Sequence, residues 1–285
     1  MPDPFTEKKT APMELVSPVP EIEPLNHFLA EENILAAGKL LNALQALDNA
    51  VIHIQKTTGA SFTQQAWIDL LRAHPLPDDT FSWCEIRRYL NAPMRALDEL
   101  RSRADPGPAI ALTLEKTASR ELSVDDLLSV SAFLGPNAKP SIRTVENFTE
   151  PDHYGFRKEY YKPHTLQRAL KEFLTTANQG YDATEAELIK AVWAMAAFLA
   201  IHPLDDGNGR VSRSLFVILL AKARIIDSTS LPIGPLAYLS QGVFEIAARR
   251  IMYHRNMDYM LTLLIKGFGS MSHCLQSHYG VSGCS

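Results

Sequence analysis

Cysteine is scarce in this chain: Cys84, Cys274 and Cys284 are the three that occur, and they include no Cys-x-x-Cys pair. Structural zinc sites are usually built on such pairs, and three thiols cannot all be paired within one chain. The scarcity argues against a cysteine-based zinc fold and a disulfide framework. It favours a reducing compartment. We expect a cytoplasm, either that of the protein's own cell or that of a host into which it is delivered.

The chain also lacks an excess of positive charge and a long apolar run. Its formal net charge is −4, whereas a general nucleic-acid-binding protein shows a basic excess. A nucleotide is compatible with this composition, because its site needs only a local positive pocket. The longest apolar run, residues 191–201, is too short to cross a bilayer. We therefore expect neither a nucleic-acid partner nor a membrane span.

Helical periodicity is abundant. Apolar residues between Leu29 and Leu47 recur at intervals of three, four and seven, which is typical of an amphipathic helix. Similar patterns predict helices at residues 63–72, 83–103 with an interruption at Pro93, 124–133, 165–173, 184–201, 211–226 and 243–265. β-prone sequence is found at residues 141–163, where a short hairpin is expected. The predicted fold class is all-α, with that hairpin as its β structure.

Three regions are predicted along the chain. Residues 1–24 contain six prolines and no apolar signal core, which predicts a mobile tail. Residues 25–104 form a helical region whose role the sequence does not assign. The stretch Asp105-Pro106-Gly107-Pro108 is typical of a linker. Residues 105–285 then form the larger helical domain.

Polar chemistry is concentrated in residues 202–213, which read His-Pro-Leu-Asp-Asp-Gly-Asn-Gly-Arg-Val-Ser-Arg. Pro203 is poorly tolerated inside a helix, so one helix should end near His202. The next should begin at the Gly-Asn-Gly turn. Backbone N–H groups at the start of a helix are unpaired and lie at the positive end of its dipole, which suits a phosphate. The segment therefore predicts a phosphate site between two helices.

The side chains around that turn suit a nucleotide polyphosphate. Arg210 and Arg213 are three residues apart on one helix face, where they can bind further phosphates. Asp206 offers a hard oxygen ligand for the Mg²⁺ that accompanies phosphates. His202 lies beside them as a proton acceptor. An ordinary polar surface turn is the structural alternative, although such turns rarely carry a His before and two Arg after in this register.

Other phosphate and metal motifs fit the segment poorly. A P-loop needs a lysine after its glycines, and residues 202–213 contain none. An EF-hand needs alternating acidic ligands and a Glu near the end of the loop, which Val211-Ser212-Arg213 does not provide. The metalloprotease sequence His-Glu-x-x-His is absent.

The segment resembles the Fic motif, His-x-Phe-x-Asp/Glu-Gly-Asn-Gly-Arg-x-x-Arg, at every defining position except Leu204, where the family usually has Phe. The resemblance covers about residues 123–264 and implies a Fic-type helical core with a β-hairpin flap over the active site. The flap would occupy residues 141–163. Its opening resembles Gly-x-x-Arg at residues 141–144, with Ser141 in place of Gly, and its close resembles Tyr-x-Pro at residues 161–163. A plain solvent loop is the alternative for this stretch.

The resemblance implies a protein adenylyltransferase, which moves AMP from ATP to a Ser, Thr or Tyr hydroxyl of a target protein. His202 would take the proton of that hydroxyl, and Asp206 would hold Mg²⁺. The nucleotide would be bound by Gly207, Asn208, Gly209, Arg210 and Arg213, with Tyr259 near the base. The target would dock by backbone pairing to the flap edge formed by Ile142, Arg143, Thr144 and Val145.

Other functions stay open at this point. Related Fic chemistries are phosphocholine transfer, transfer of another nucleotide moiety and removal of AMP. Phosphorylation goes with a Lys in the place of Gly209, so Gly209 favours AMP transfer. A catalytically silent helical interaction protein is the alternative from another class. A toxin or effector role fits the family, and a homo-oligomer is left open.

Inhibition in Fic proteins often comes from a Ser/Thr-x-x-x-Glu-Gly/Asn helix whose Glu pairs with the last arginine of the motif. This chain has no strict copy. Thr117 with Glu121 is the best candidate within the chain, and Glu32-Asn33 has only the ending of that sequence. We therefore expect the chain to be active without relief, or to be restrained by a separate inhibitory partner.

Overall fold

The computed structural model of the protein describes residues 16–17, 22–77, 80, 93–133, 141–148, 157–240 and 242–280. Helices dominate these residues, which confirms the all-α class. Their bounds are α1 Glu31–Thr58, α2 Gln64–Ala73, α3 Pro93–Arg101, α4 Gly107–Lys116, α5 Val124–Phe133, α6 Pro163–Asn178, α7 Thr184–Ile201, α8 Asn208–Lys222, α9 Ile233–Leu239, α10 Val243–His254 and α11 Asp258–Tyr279. A 3-10 turn, Leu25–Phe28, precedes α1.

Helix α7 lies at the centre of the molecule. Its residues from Leu188 to Phe198 are all buried, and it packs against α1, α6, α8 and α10. A helix that is apolar on every side is stable only in the interior of a protein. The core therefore fixes the carboxyl end of α7, where residues 202–213 begin.

The N-terminal helices share this core. Helix α1 packs along α11 and also contacts α7, and its apolar residues belong to the same buried cluster as those of α7 and α8. The indole of Trp67 donates to the Ser230 carbonyl at 2.7 Å, and that of Trp193 donates to the Glu23 carbonyl at 2.8 Å. The two predicted regions are thus packed together, and the boundary after residue 104 stays a prediction.

The stretch predicted as a linker is instead the start of a helix. Gly107 and Pro108 open α4, and the Asp105 carboxylate accepts the Gly107 N–H at 2.9 Å. Proline is well tolerated in the first helical turn, because the N–H that it lacks has no partner there. The Pro-Gly-Pro composition reflects a helix start rather than a free connection.

The first part of the predicted hairpin has a partner elsewhere in the chain. Residues 142–145 do not pair with residues 156–161 in the described part of the chain; Ile142 forms an antiparallel bridge with Leu204. A second antiparallel bridge joins Phe148 to Glu159, and the Tyr160 N–H donates to the Asn147 carbonyl at 3.0 Å. Residues 149–156, between these partners, lie outside the described residues. We keep the name flap for residues 141–148 and 157–162.

The predicted helices are largely confirmed, with two corrections. The 243–265 pattern covers two helices, α10 and α11, because Arg255 adopts a left-handed conformation with φ 52° between them. The 211–226 helix runs over Asn208–Lys222. Of the 83–103 prediction, residues 83–92 lie outside the described residues, and α3 begins at Pro93.

The predicted tail is partly attached to the fold. Strand β1, Val16–Ser17, pairs in parallel with β2, Arg157–Lys158, in the flap. The Glu23 carboxylate contacts His27 at 3.0 Å and Arg255 at 2.9 Å. Residues 1–15 and 18–21 lie outside the described residues. Where the chain is described, none of its helices has both the length and the apolar character to cross a bilayer.

Candidate functional site

His202 ends α7 in a left-handed backbone conformation, with φ 50° and ψ 56°. Histidine is one of the few side chains that visit this region with some frequency. The His202 N–H still donates to the Phe198 carbonyl at 3.0 Å, so it closes the last turn of the helix. The turn directs the chain away before Pro203, as the sequence predicts.

The His202 imidazole is held by three side chains. Its Nδ1 lies 3.1 Å from Nδ2 of Asn208 and 3.3 Å from Nδ2 of Asn147. Its face stacks on the Tyr160 ring, with centroids 4.0 Å apart and an interplanar angle of 19°. These contacts fix both the position and the plane of the ring.

The hydrogen bonds also assign the tautomer of this ring. The amide oxygens of Asn208 and Asn147 accept the backbone N–H groups of Leu204 and Phe148, so the amide nitrogens face His202. An NH₂ group can only donate, and Nδ1 must therefore be the accepting nitrogen. The neutral ring carries its proton on Nε2 and its lone pair on Nδ1.

Burial keeps the ring neutral. It lowers the pKa of His202 from 6.5 to about 4, and the nearby positive charge of Arg143 acts in the same direction. A backbone hydrogen bond and the Asp206 carboxylate act in the opposite direction and do not offset burial. At neutral pH the imidazole is unprotonated, which is the state that a general base requires.

The start of α8 offers unpaired backbone amides to this side of the molecule. Gly207 has φ 84°, a conformation that side-chain-bearing residues rarely adopt. The Val211 N–H makes the first bond of the helical ladder, to the Gly207 carbonyl at 2.9 Å. The amides of Asn208 and Gly209 precede that ladder and lie at the positive end of the helix.

The Asn208 side chain closes the loop before α8. Its Nδ2 donates to the Leu204 carbonyl at 2.8 Å while its Oδ1 accepts the Leu204 N–H at 2.9 Å. The side chain is buried. In this structure it therefore holds the loop and His202, and its expected contact with an α-phosphate stays a prediction.

The charged residues of the segment pair within the site. Nη2 of Arg210 lies 2.9 Å from Oδ2 of Asp206, whose side chain is 73% exposed. The Arg213 guanidinium lies 5.8 Å from the centre of the Tyr238 ring and is attracted by the Glu245 carboxylate. A side chain at position 209 would place its Cβ 3.3 Å from Nη1 of Arg213, so Gly209 leaves room for that guanidinium.

These residues line one cleft of about 290 Å³, which we call the motif cleft. Its described lining consists of Arg103, His202, Asp205, Asp206, Gly207, Asn208, Gly209, Arg210, Arg213, Tyr238 and Glu245. The structure thus brings together every residue of the 202–213 segment that we predicted to carry chemistry. It adds Arg103, Tyr238 and Glu245, which lie far away in sequence.

Arg143 occupies the interior rather than the docking edge. Its side chain is only 2% exposed, and its Nε donates to the His202 carbonyl at 2.7 Å. Its two terminal nitrogens donate to the carbonyls of Val145, at 2.9 Å, and Tyr161. The side chain therefore ties the flap to the end of α7, and a docking role is left to the backbone.

The other predicted docking residues lie at the surface or close to it. Thr144 and Val145 are exposed and Ile142 is half-buried. The Arg143 N–H donates to the Pro203 carbonyl at 2.9 Å, so this edge of the flap already pairs with the loop after α7. Backbone amides alternate in direction along an extended segment, which turns the Thr144 N–H toward the opposite edge. Docking at that edge stays a prediction.

Tyr259 is not among the described residues that line the motif cleft. The Arg250 guanidinium lies 3.8 Å from the centre of its ring and covers one face. The assigned role of Tyr259 near the base stays a prediction.

Neither candidate for internal inhibition lines the motif cleft. Glu121 is exposed and lines a separate cavity beside Lys190 and Lys222, and the Thr117 hydroxyl is buried against the Thr113 carbonyl at 2.8 Å. Glu32 is exposed in the first turn of α1. The acidic residue that approaches Arg213 is Glu245, which no local pattern marks. Tyr160, in contrast, stands just before the Tyr-x-Pro stretch, where the sequence could have pointed to it.

A resident metal site is not visible among the described residues, which contain no group of three or more His, Cys, Asp or Glu side chains suited to an ion. Magnesium needs less than such a group, because one or two carboxylates and the phosphates of a substrate complete its shell. The exposed Asp206 carboxylate fits that requirement.

Comparisons with known proteins point to one family. Residues 121–220 match a model described as the Fic/DOC family, and this range includes the whole 202–213 segment. A Fido domain-containing protein of Dictyostelium discoideum is 28% identical over 74 residues, which is 26% of this chain and 52% of that protein. The match spans about half the length of this relative.

Two solved structures are also similar. Fic-1 from C. elegans is 17% identical with a TM-score of 0.44, over 88% of this chain and 72% of that one. A Fic family protein from Desulfovibrio desulfuricans is 14% identical with a TM-score of 0.44, over 93% of this chain and 77% of that one.

Proposed function

We propose that this chain, which carries a Fic-type domain over residues 121–220, is a protein adenylyltransferase that moves AMP from ATP to a hydroxyl side chain of a target protein. The observation that carries the proposal is the motif cleft. It places a neutral imidazole, the unpaired amides of a helix start and two arginines around one space. Transfer of a phosphorus-centred group depends mostly on positioning and on charge stabilisation, and the cleft provides both.

The polyphosphate of ATP would lie across the start of α8. The amides of Asn208 and Gly209 would donate to it, while Arg210 and Arg213 would bind the β- and γ-phosphates. Arg210 would have to exchange its pairing with Asp206 for pairing with a phosphate. That exchange frees the Asp206 carboxylate to hold Mg²⁺, which supplies positive charge to the phosphates.

The proton of the target hydroxyl would pass to Nδ1 of His202. In this structure the Asn208 amide faces that nitrogen at 3.1 Å. If Asn208 turns to donate to the α-phosphate and Asn147 also gives up its donation to Nδ1, the lone pair becomes free to accept from the hydroxyl. Binding of ATP would then expose the base. The hydroxyl oxygen forms its bond to the α-phosphorus, the bond from that phosphorus to the β-bridging oxygen breaks, and pyrophosphate leaves.

Mass spectrometry of proteins incubated with the chain and Mg-ATP tests the proposal. Modified Ser, Thr or Tyr residues should carry AMP, and the His202→Ala variant should modify about 10²–10⁴-fold less protein. Phosphate alone on those residues would mean a kinase, and phosphocholine or another group would mean a different Fic chemistry. A silent interaction protein would leave all residues unmodified.

A further inference from the structure

Arg210 and Arg213 also line a second cavity of about 330 Å³, whose described lining does not include His202. We call it the rear cavity. Apolar side chains in its wall come from α2, α3, α4, α8 and the connections before α2 and α9: Phe62, Trp67, Leu100, Ile110, Val217 and Leu231. This volume and this lining are those of a small-molecule site, in which apolar walls enclose a few polar groups.

The walls of the rear cavity are held in place without a ligand. Gln64 donates through Nε2 to the carbonyls of Leu100 and Arg103, both at 3.1 Å. The Asp105 carboxylate accepts the N–H groups of Gln64 at 3.2 Å and Gly107 at 2.9 Å. These bonds join α2 to the end of α3 and the start of α4. The cavity is therefore a preformed space rather than a gap between loosely packed helices.

One polar group in the wall lacks a partner. Ser214 lines the rear cavity from α8, is 1% exposed, and its Oγ has no hydrogen-bond partner among the described residues. A buried hydroxyl without a hydrogen bond carries an energetic cost, because it has given up its bonds to water. A bound molecule that offers a donor or acceptor at this point would recover that cost.

The mouth of the rear cavity carries positive charge. Arg103, Arg210 and Arg213 line both this cavity and the motif cleft. Asp105, the acidic residue in the described lining, already accepts two backbone amides. An anionic group at the mouth would thus meet arginines that the proposed function assigns to the phosphates of ATP.

We propose that the rear cavity binds a small molecule with an apolar, ring-sized body and one acidic group. The body lies among the apolar side chains, and the acidic group accepts from the Ser214 hydroxyl and pairs with Arg210 and Arg213. Such a ligand competes with the terminal phosphates of ATP and so inhibits the chain. Binding itself rests on the cavity alone, whereas the competition rests on the proposed function.

Calorimetry with two matched probes tests the binding. The full chain should bind 4-phenylbutyrate at least about tenfold more tightly than the neutral 4-phenylbutan-1-ol, because only the acid can pair with the arginines. Ala111→Trp should weaken binding of the acid at least about tenfold, because the indole fills the cavity from its exposed rim. Glu115→Trp, an exposed position of α4 outside the described lining, is the matched control and should bind normally. Equal binding of acid and alcohol, an unaffected Ala111→Trp variant, or no binding of either probe would each overturn the proposal.

Titration of ATP in the presence of 4-phenylbutyrate tests the competition. The acid should raise the apparent Kd of ATP in the parent and in Glu115→Trp but not in Ala111→Trp, which should still bind ATP. If ATP and the acid bind together without mutual effect, the inhibitory part is wrong. If ATP does not bind at all, the proposed function fails, and the result with the two probes still decides whether the cavity is a ligand site.

Discussion

Two stretches meet at His202, and they are built in different ways. Residues 202–213 are tied by local bonds, such as Asn208 to Leu204 and Arg210 to Asp206, each across four residues. The flap is tied to the same place across more than fifty residues, through Asn147 to the imidazole and Arg143 to the His202 carbonyl. The local stretch supplies the groups that would react, and the distant stretch orients the base. A pattern within twelve residues can therefore reveal the chemistry but not the orientation.

Removing the base is the change with the largest expected effect. His202→Ala should lower AMP transfer about 10²–10⁴-fold while ATP binding persists, because the imidazole acts on the hydroxyl and not on the nucleotide. Transfer rates and calorimetry with ATP measure the two properties separately. His164→Ala, at an exposed position of α6, is the control. Transfer at the parent rate in His202→Ala would remove the proposed role of His202.

Removing the side chain that ties the flap to α7 should have the second-largest effect. Arg143→Met leaves the carbonyls of His202, Val145 and Tyr161 without their charged donor, and should destabilise the fold by about 3 kcal/mol. Urea unfolding measures that change. Arg168→Met, where the side chain is 77% exposed, should cost less than about 0.5 kcal/mol. If the two variants unfold at the same urea concentration, the Arg143 side chain does not anchor the flap.

The pH dependence of stability and of transfer tests whether burial lowers the pKa of His202 in the folded chain. The folded pKa of His202, about 4, lies below its usual 6.5, so the unfolded chain binds more protons between these values. Stability should therefore fall as pH falls through this window, and His202→Gln should flatten the slope. The kcat/KM for transfer should stay level down to about pH 5 in the parent. A decline centred on pH 6.5 would show that the ring is exposed.

Much of the helical framework follows from the sequence, and the flap register does not. Helix α7 is confirmed at Thr184–Ile201, because an unbroken apolar run followed by His202-Pro203 leaves little choice. The partner of Ile142 is not predicted, because Leu204 lies in a loop rather than in a strand. Pairing with a loop gives no alternating pattern in either partner. The electrostatic attraction between Glu245 and Arg213 is missed for a related reason, since it depends on how α10 packs.

The outer edge of the flap can be tested by its backbone. Thr144→Pro removes the N–H on the side away from the Pro203 carbonyl, so transfer to a protein target should fall about tenfold while ATP binding is unchanged. Thr144→Ala keeps the amide and should transfer normally. Unchanged transfer in the proline variant means that targets dock through another surface.

The smallest expected effect is that of Glu245→Gln on the affinity for ATP. The replacement removes a negative charge near Arg213, where a phosphate would bind. The Kd of ATP should therefore fall about two- to fivefold. Glu121→Gly and Glu32→Gly change residues outside the described lining of the motif cleft and should leave auto-modification unchanged. A large gain of activity in either would place an inhibitory element within the chain.

Labelling with two forms of ATP tests the central claim most directly. Parent chain and His202→Ala are each incubated with a lysate and Mg²⁺, once with α-³²P-ATP and once with γ-³²P-ATP. If the chain transfers AMP through His202, protein-bound label should come from the α position only, and His202→Ala should give about 10²–10⁴-fold less of it. Label from the γ position, or α label that persists at the parent level in His202→Ala, would contradict this claim.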